Sequence, residues 1–191
     1  IVLANLLSKL MQIVAENAGA EKSFLIMETS GALRVEASMK GFGEQEAIVE
    51  STQLGGCPDL PESIVRYVFR SNQTVILGDA ANEGNFLQDP YIEKNRPRSI
   101  LCTPIQHHGT VSGVLYLENN QSIDVFTPNR VEVLGVLTAQ AAISLENAKL
   151  YSRLGESMVH LEEALAKAQE SDRLKTEFLA KTSHELRTPL N

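Results

Sequence analysis

Residues 100–118 read ILCTPIQHHGTVSGVLYLE, and this stretch indicates how the front part of the chain folds. It contains two β-rich runs, Ile100 to Gln106 and Val111 to Glu118, separated by a His-His-Gly sequence at positions 107–109. Short apolar runs with a polar, glycine-containing break between them are typical of two antiparallel strands joined by a tight turn. The stretch therefore predicts a β-hairpin.

A second hairpin is predicted nearer the start of the chain. Ser23 to Glu28 (SFLIME) and Leu33 to Ser38 (LRVEAS) are strand-like, and Thr29-Ser30-Gly31 between them has turn chemistry. Gln73 to Leu77 is a further β-rich run. Together these runs favour an antiparallel β-sheet.

Helices are predicted on either side of the hairpin at residues 23–38. An opening helix ends near Gly19, and a second helix starts with the helix-initiating residues Asp59, Pro61 and Glu62. The first has apolar residues at helical spacing at Leu3, Leu6, Leu7, Leu10, Met11 and Val14, and the second at Ile64, Val65, Val68 and Phe69. Gly78 to Arg98 is rich in turn-forming residues and predicts a long surface loop. The fold class is α+β.

The last third of the chain predicts one long helix. Thr127 is a good N-cap, Pro128 suits the first helical position, and helical character continues to Pro189. Beyond Tyr151 the positions Leu154, Met158, Leu161, Leu165 and Ala168 recur at spacings of four and three, which is the pattern of a coiled-coil seam. A parallel homodimer would bury this seam, and Gly155 and Asp172 weaken it.

Composition excludes several classes of protein. The formal net charge of −7 disfavours nucleic-acid binding, which requires a concentrated basic surface. Cys57 and Cys102 lack the spacing of a zinc site, so no metal site is predicted, and both are expected to be reduced thiols. No apolar run approaches the ~20 residues that span a bilayer. We expect a cytoplasmic segment of a longer protein, without a membrane partner.

The most specific motif is residues 178–190, FLAKTSHELRTPL, which resembles the H-box of the HisKA class of sensor histidine kinases. The resemblance implies that His184 is the phosphoacceptor, a role that suits imidazole because it is nucleophilic near neutral pH. It implies that Glu185 acts as general base or acid beside it. It also implies that Thr188, one turn later, positions water for dephosphorylation of a partner regulator. Pro189 is expected to bend the helix just beyond.

The same resemblance implies the partners of this motif. His184 would accept phosphate from ATP, with ATP and magnesium held by a separate kinase domain, and would pass it to an aspartate of a response-regulator receiver domain. The sequence has no glycine-rich ATP-binding segment, so this chain alone is expected to carry no cofactor and to be inactive as a histidine protein kinase.

The front part resembles a GAF domain. The resemblance is carried by RSILCTPI at 98–105, GVLYLEN at 113–119, FTPNRVEVL at 126–134 and QAAISLENAKLY at 140–151. It implies a six-stranded antiparallel sheet flanked by helices. The resulting domain prediction is a GAF sensor domain at 1–150, a coiled-coil signalling helix at 151–176, and the start of the HisKA dimerisation and phosphoacceptor helix at 177–191.

The ligand of this GAF-like domain stays open. GAF domains that bind cyclic nucleotides carry an Asn-Lys, Phe and Asp-Glu signature, which is matched only in part by Asn119-Asn120, Phe126 and Arg130-Val131. A covalent bilin is disfavoured because neither cysteine precedes a histidine: Cys57 is followed by proline and Cys102 by threonine. His107 and His108 are interpreted as polar turn residues.

Any small ligand is expected between the sheet and the 78–98 loop. Asp79, Asn85, Tyr91 and Arg98 are the candidate lining residues, and solvation on a surface loop is the alternative role of each. The leading functional hypothesis is the regulatory and phosphoacceptor portion of a two-component sensor kinase. The alternative is a non-catalytic GAF module that binds a small ligand or only dimerises, through Leu3 to Val14 and the long helix.

Overall fold

The computed structural model describes residues 2–41, 47–107 and 109–187. Four helices, six strands and a short 3-10 turn follow one another along these residues. They are α1 Val2–Ala18, β1 Lys22–Thr29, β2 Ala32–Lys40, β3 Thr52–Gln53, the 3-10 turn Leu54–Gly56, α2 Glu62–Ser71, β4 Val75–Leu77, α3 Pro90–Asn95, β5 Ser99–His107, β6 Thr110–Asn119 and α4 Pro128–Arg187. The predicted α+β class is confirmed.

The six strands form one antiparallel sheet in the order β3-β2-β1-β6-β5-β4. Both predicted hairpins are present, as β1–β2 and β5–β6, although His108 of the second turn lies outside the described residues. In the first hairpin Thr29 pairs with Ala32, and the two residues between them, Ser30 and Gly31, have φ angles of 55° and 81°. Two successive positive φ angles characterise the tight turn that matches the twist of a hairpin.

The sheet separates two apolar cores, because successive side chains of a strand point to opposite faces. On β6, Leu115 and Leu117 enter the first core, while Val114 and Tyr116 enter the second. The first core lies against α1 and the start of α4, and the second lies against α2 and α3. The sheet is therefore flanked by helices on both faces, as predicted.

Helix α1 contributes to the first core. Leu7, Met11 and Val14 are between 0% and 5% exposed and pack with Leu115 and Leu117. The alternative hypothesis assigned this face of α1 to dimerisation. That assignment is wrong for these three side chains, because the domain itself covers them.

Two further predictions need correction. The segment 78–98 is not only a surface loop, because it contains α3, which begins at Pro90 with Asp89 as its N-cap and buries Tyr91 and Ile92. Helix α2 is present where predicted and begins at Glu62, but Asp59 does not cap it and instead forms an ion pair with Lys40 on β2. The short edge strand β3 has no strand-like sequence pattern and was not predicted.

The chain divides into two compact units, residues 1–147 and 148–191. Helix α4 begins at Pro128, as predicted, and belongs to both. In the second unit Leu154, Met158, Leu161 and Leu165 are 55% to 70% exposed in the single chain. Among the helices of the described residues, none combines the length and apolarity needed to cross a lipid bilayer.

Candidate functional site

Helix α3 is held against the start of α2 by Asp89. One carboxylate oxygen of Asp89 accepts the backbone N–H of Tyr91 at 2.8 Å, which caps α3. The other accepts both the hydroxyl and the backbone N–H of Ser63, in the first turn of α2. Since both oxygens are engaged, α3 is anchored in one orientation, with Tyr91 pointing into the second core.

Within the second core, the hydroxyl of Tyr91 contacts the carboxylate of Glu118. Tyr91 Oη lies 2.7 Å from Oε2 and 3.0 Å from Oε1 of Glu118 and donates to this carboxylate. The hydroxyl of Tyr116 donates to Oε2 at 2.6 Å. Glu118 is 0% exposed. A fully buried carboxylate thus receives hydrogen bonds from two tyrosines on different elements.

Two further groups complete the surroundings of Glu118. The ammonium group of Lys22, at the start of β1, lies 3.0 Å from Oε1, donates to Tyr91 Oη at 2.7 Å, and sits 5.3 Å from the centre of the Tyr91 ring. The side-chain amide of Asn120 donates to Oε1 at 2.7 Å. Because burying an unpaired charge is costly, this ion pair and these hydrogen bonds are what allow Glu118 to lie inside the domain. We call Lys22, Tyr91, Tyr116, Glu118 and Asn120 the Glu118 cluster.

The surroundings of the two tyrosines keep them protonated. Burial raises the pKa of Tyr91 and of Tyr116 well above the usual tyrosine range, and the neighbouring negative charge of Glu118 raises both pKa values further. Both hydroxyls therefore remain donors to Glu118 in neutral and moderately alkaline solution. Burial also raises the pKa of the Cys102 thiol, while Cys57 is a half-buried free thiol.

The structure brings only one of the four predicted lining residues into this cluster, namely Tyr91. Arg98 is exposed and donates to the backbone carbonyl of Gln121 at 3.2 Å. Asp79 lies in a local turn, where its carboxylate accepts the side-chain amide of Asn82 at 2.9 Å. Asn85 is exposed. The predicted roles of these residues in ligand binding stay predictions.

Sequence reasoning missed the centre of the cluster. Glu118 belongs to the apolar run GVLYLEN, and a carboxylate in an otherwise buried strand is a signal of a paired site. Tyr116 lies two residues earlier and therefore on the same face of β6. Lys22 and Tyr91 are distant in sequence, so their contacts with Glu118 depend on the fold.

A separate open depression of ≈ 320 Å³ lies between the first hairpin and α2. Its rim carries Arg66 and Arg70, and Phe69 and Leu33 line its apolar part. Arg66 is paired with Glu62 of the same helix at 2.6 Å. The depression is a shallow surface feature, whereas the Glu118 cluster is built from buried and half-buried groups.

The predicted phosphoacceptor region lies at the other end of the chain. His184 and Glu185 belong to the last turns of α4, which ends at Arg187. Thr188 and Pro189 lie outside the described residues. The Glu118 cluster and these residues are in different units of the chain.

The comparisons with known proteins agree on one protein family. The model of the GAF domain family matches residues 3–145. Hybrid signal transduction histidine kinase G of Dictyostelium discoideum is 36% identical over 129 residues, which are 68% of this chain and 4% of that protein. Circadian input-output histidine kinase CikA of Synechococcus elongatus is 30% identical over 135 residues, 64% of this chain and 18% of that protein. The chain thus spans a small part of the length of the curated relatives it matches.

Solved structures show the same fold at low sequence identity. The GAF domain of a two-component sensor histidine kinase from Bacillus halodurans has a TM-score of 0.55 at 21% identity, covering 78% of this chain and 96% of that one. The GAF domain region of a putative membrane protein from Geobacter sulfurreducens has a TM-score of 0.59 at 18% identity, covering 75% and 93%.

Proposed function

This chain belongs to the GAF domain family, and from that premise we propose that it is the sensory and phosphoacceptor portion of a two-component sensor histidine kinase. One observation carries the proposal: α4 starts in the GAF domain at Pro128 and continues as a single helix to Arg187, through His184. Relatives that share the GAF region are histidine kinases. A sensor domain and the motif around His184 are therefore joined by one regular element.

The proposed reaction is phosphoryl transfer to His184. A ring nitrogen of His184 attacks the γ-phosphorus of ATP, the N–P bond forms as the bond to the ADP oxygen breaks, and ADP leaves. Glu185 accepts the proton of the other ring nitrogen or hydrogen-bonds to it. ATP and magnesium would be held by a separate kinase domain, as the family resemblance implies, and the reaction is proposed to take place in the cytoplasm. A receiver-domain aspartate then takes the phosphoryl group.

The module is also proposed to support dephosphorylation of the receiver, in which water attacks the phosphoryl group on the receiver aspartate and inorganic phosphate leaves. Thr188 follows His184 by four residues, which on a helix is one turn along the same face. Its hydroxyl would orient the attacking water there. Thr188→Ala should therefore lower phosphatase activity towards the receiver while leaving phosphorylation of His184 intact.

A parallel homodimer is the proposed working state. Leu154, Met158, Leu161 and Leu165 form an exposed apolar stripe along α4 at coiled-coil spacing. Burying each leucine against a second copy would contribute ~1.5–3 kcal/mol. Dimerisation would hold two copies of His184 at a defined distance from the kinase domains.

The decisive experiment uses the full-length protein with its ATP-binding domain and γ-labelled ATP. We expect an acid-labile, base-stable label that disappears in His184→Gln. His160→Gln is the matched control, because His160 is an exposed histidine of the same helix, and it should keep the label. Absence of label in a folded, dimeric protein would contradict the proposal and favour the alternative, a GAF module that only dimerises or binds a small ligand.

A further inference from the structure

Asn119, the last residue of β6, and the connection to α4 at residues 120–127 touch three other parts of the domain, and together we call them the coupling loop. On one side it is bonded to the turn between α1 and β1. The side-chain amide of Asn119 donates to the carbonyl of Gly19 at 2.8 Å, and the backbone N–H of Asn120 donates to a carboxylate oxygen of Glu21 at 3.1 Å. The coupling loop is thus tied to the end of α1.

On the other side the coupling loop is bonded to both ends of the segment that carries α3. The N–H of Asp124 donates to the carbonyl of Gly78 at 2.9 Å, before α3. The guanidinium of Arg98, after α3, donates to the carbonyl of Gln121 at 3.2 Å. The segment that carries α3 is therefore hydrogen-bonded to the coupling loop at both of its ends.

Immediately after the coupling loop, the first turn of α4 is held by Arg130. One guanidinium nitrogen of Arg130 donates to the carbonyl of Ala18, the last residue of α1, at 3.2 Å, and to the carbonyl of Val125 at 3.1 Å. A side chain on Gly19, whose φ is +66°, would come within 3.2 Å of that nitrogen. Arg130 therefore packs closely against the turn between α1 and β1, and its hydrogen bonds hold the start of α4 against the end of α1.

The Glu118 cluster connects α3 to the coupling loop. Glu118 directly precedes the coupling loop, its carbonyl accepts the N–H of Glu21 at 2.8 Å, and its carboxylate binds both Tyr91 of α3 and Asn120 of the coupling loop. Removal of Tyr91 would leave Glu118 buried with fewer donors, which is costly unless the carboxylate turns or water enters. Because Asn120 donates to Oε1 of the same carboxylate, a turn of that carboxylate would displace Asn120.

We propose that the Glu118 cluster, the coupling loop and Arg130 act as one conformational relay, in which release of Tyr91 from Glu118 loosens the first turn of α4 from the end of α1. Docked α3 with fastened α4 is then one state of this hydrogen-bonded unit, and released α3 with loosened α4 is the other. The relay is carried by contacts within the first compact unit alone. Its physiological meaning rests on the proposed function, but its operation does not depend on phosphorylation.

The relay also assigns a role to the positions at which this sequence matches the cyclic-nucleotide signature only in part. Asn119 bonds to Gly19, Phe126 is 3% exposed in the first core, and Arg130 bonds to Ala18. In this chain the three positions therefore hold the start of α4 in place.

The test is backbone amide exchange, followed by mass spectrometry on the full 191-residue chain. Tyr91→Phe removes only the hydroxyl that reaches Glu118. We expect amides of residues 131–138 in α4 to exchange about fivefold faster, at the lower end of coupling between linked sites. Tyr67→Phe is the matched control, because the Tyr67 hydroxyl contacts Gln73 outside the relay, and exchange in 131–138 should not change. Faster exchange in α3 alone, with 131–138 unchanged, would overturn the relay.

A second variant tests the same relay from the opposite end. Coupling between two sites is reciprocal. Arg130→Gln, at an exposed position, should therefore raise exchange of the α3 amides 91–95 by a similar factor. If exchange in α3 does not change while the first turn of α4 loosens, the two ends are independent and the proposal fails. Neither result depends on whether His184 accepts phosphate.

Discussion

The hydroxyl of Tyr116 donates a 2.6 Å hydrogen bond to Oε2 of Glu118, two residues further along the same strand, and both side chains are fully buried. Side chains at i and i+2 of a strand share a face, so β6 supplies both the acid and one of its donors. The other direct partners, Lys22, Tyr91 and Asn120, come from β1, α3 and the loop after β6. Glu118 is therefore where these elements are joined.

Glu118→Ala should strongly destabilise the GAF domain. The substitution leaves the Lys22 ammonium and two buried tyrosine hydroxyls without their acceptor, and breaking a buried ion pair in this way costs about 3–5 kcal/mol. The measurement is the urea midpoint followed by circular dichroism. Glu162→Ala, at an exposed position on α4, is the control and should shift the midpoint little. Equal midpoints for the two variants would show that the cluster contributes no net stability.

The buried tyrosines predict a loss of stability in strong alkali. The pKa of both Tyr91 and Tyr116 is raised on folding, mainly by burial and then by Glu118. Their contribution is therefore fully present below the unfolded-state pKa of about 10 and is lost as the pH rises above it towards the folded values. Absorbance at 295 nm should show these two tyrosines ionising only together with unfolding. Ionisation of all four tyrosines before the circular dichroism changes would contradict this.

Replacing glycine by alanine should change stability in opposite directions at Gly155 and at Gly31. Gly155 lies within α4 and Gly31 in the first hairpin turn, and a Cβ would meet no atom within 4 Å at either position. Gly155→Ala should stabilise the helix by ~0.5–1 kcal/mol, since glycine is unfavourable in a helix interior. Gly31→Ala should destabilise the domain by ~1 kcal/mol or more, because its φ of +81° strains a residue with a Cβ. Thermal unfolding of both variants checks the two signs.

Polar residues in the apolar stripe of α4 should prevent dimerisation. Leu161→Gln combined with Leu165→Gln removes two leucines per chain, and so four per dimer, from the proposed seam; at ~1.5–3 kcal/mol each the dissociation constant should rise ~10⁴-fold or more. Sedimentation equilibrium measures it. The matched control is Val159→Gln with Ala166→Gln, two exposed positions one residue away from the seam. If both pairs weaken association equally, the heptad assignment is incorrect.

Local patterns sufficed for the regular elements of the fold. Both hairpins followed from short apolar runs around turn residues, and α4 followed from Thr127 and Pro128, because strand alternation and helix initiation depend on neighbouring residues. Helix α3 could have been found in the same way from Asp89-Pro90, which is N-cap chemistry within a segment interpreted as a loop. The edge strand β3 could not, because its two residues pair only when β2 is already in place.

By itself, then, the amino-acid sequence determined the α+β class, the hairpins, the start of α4 and the motif that contains His184, since each is encoded within a few residues or by a repeating period. Only the tertiary structure decided that Tyr91 lies on Glu118, that Lys22 neutralises this carboxylate, and that Arg130 holds the end of α1. These partners are separated in sequence by 27, 96 and 112 residues. A charged residue within an apolar run indicates, from the sequence alone, that it needs partners in the folded protein. Which residues become those partners depends on how the strands and helices pack.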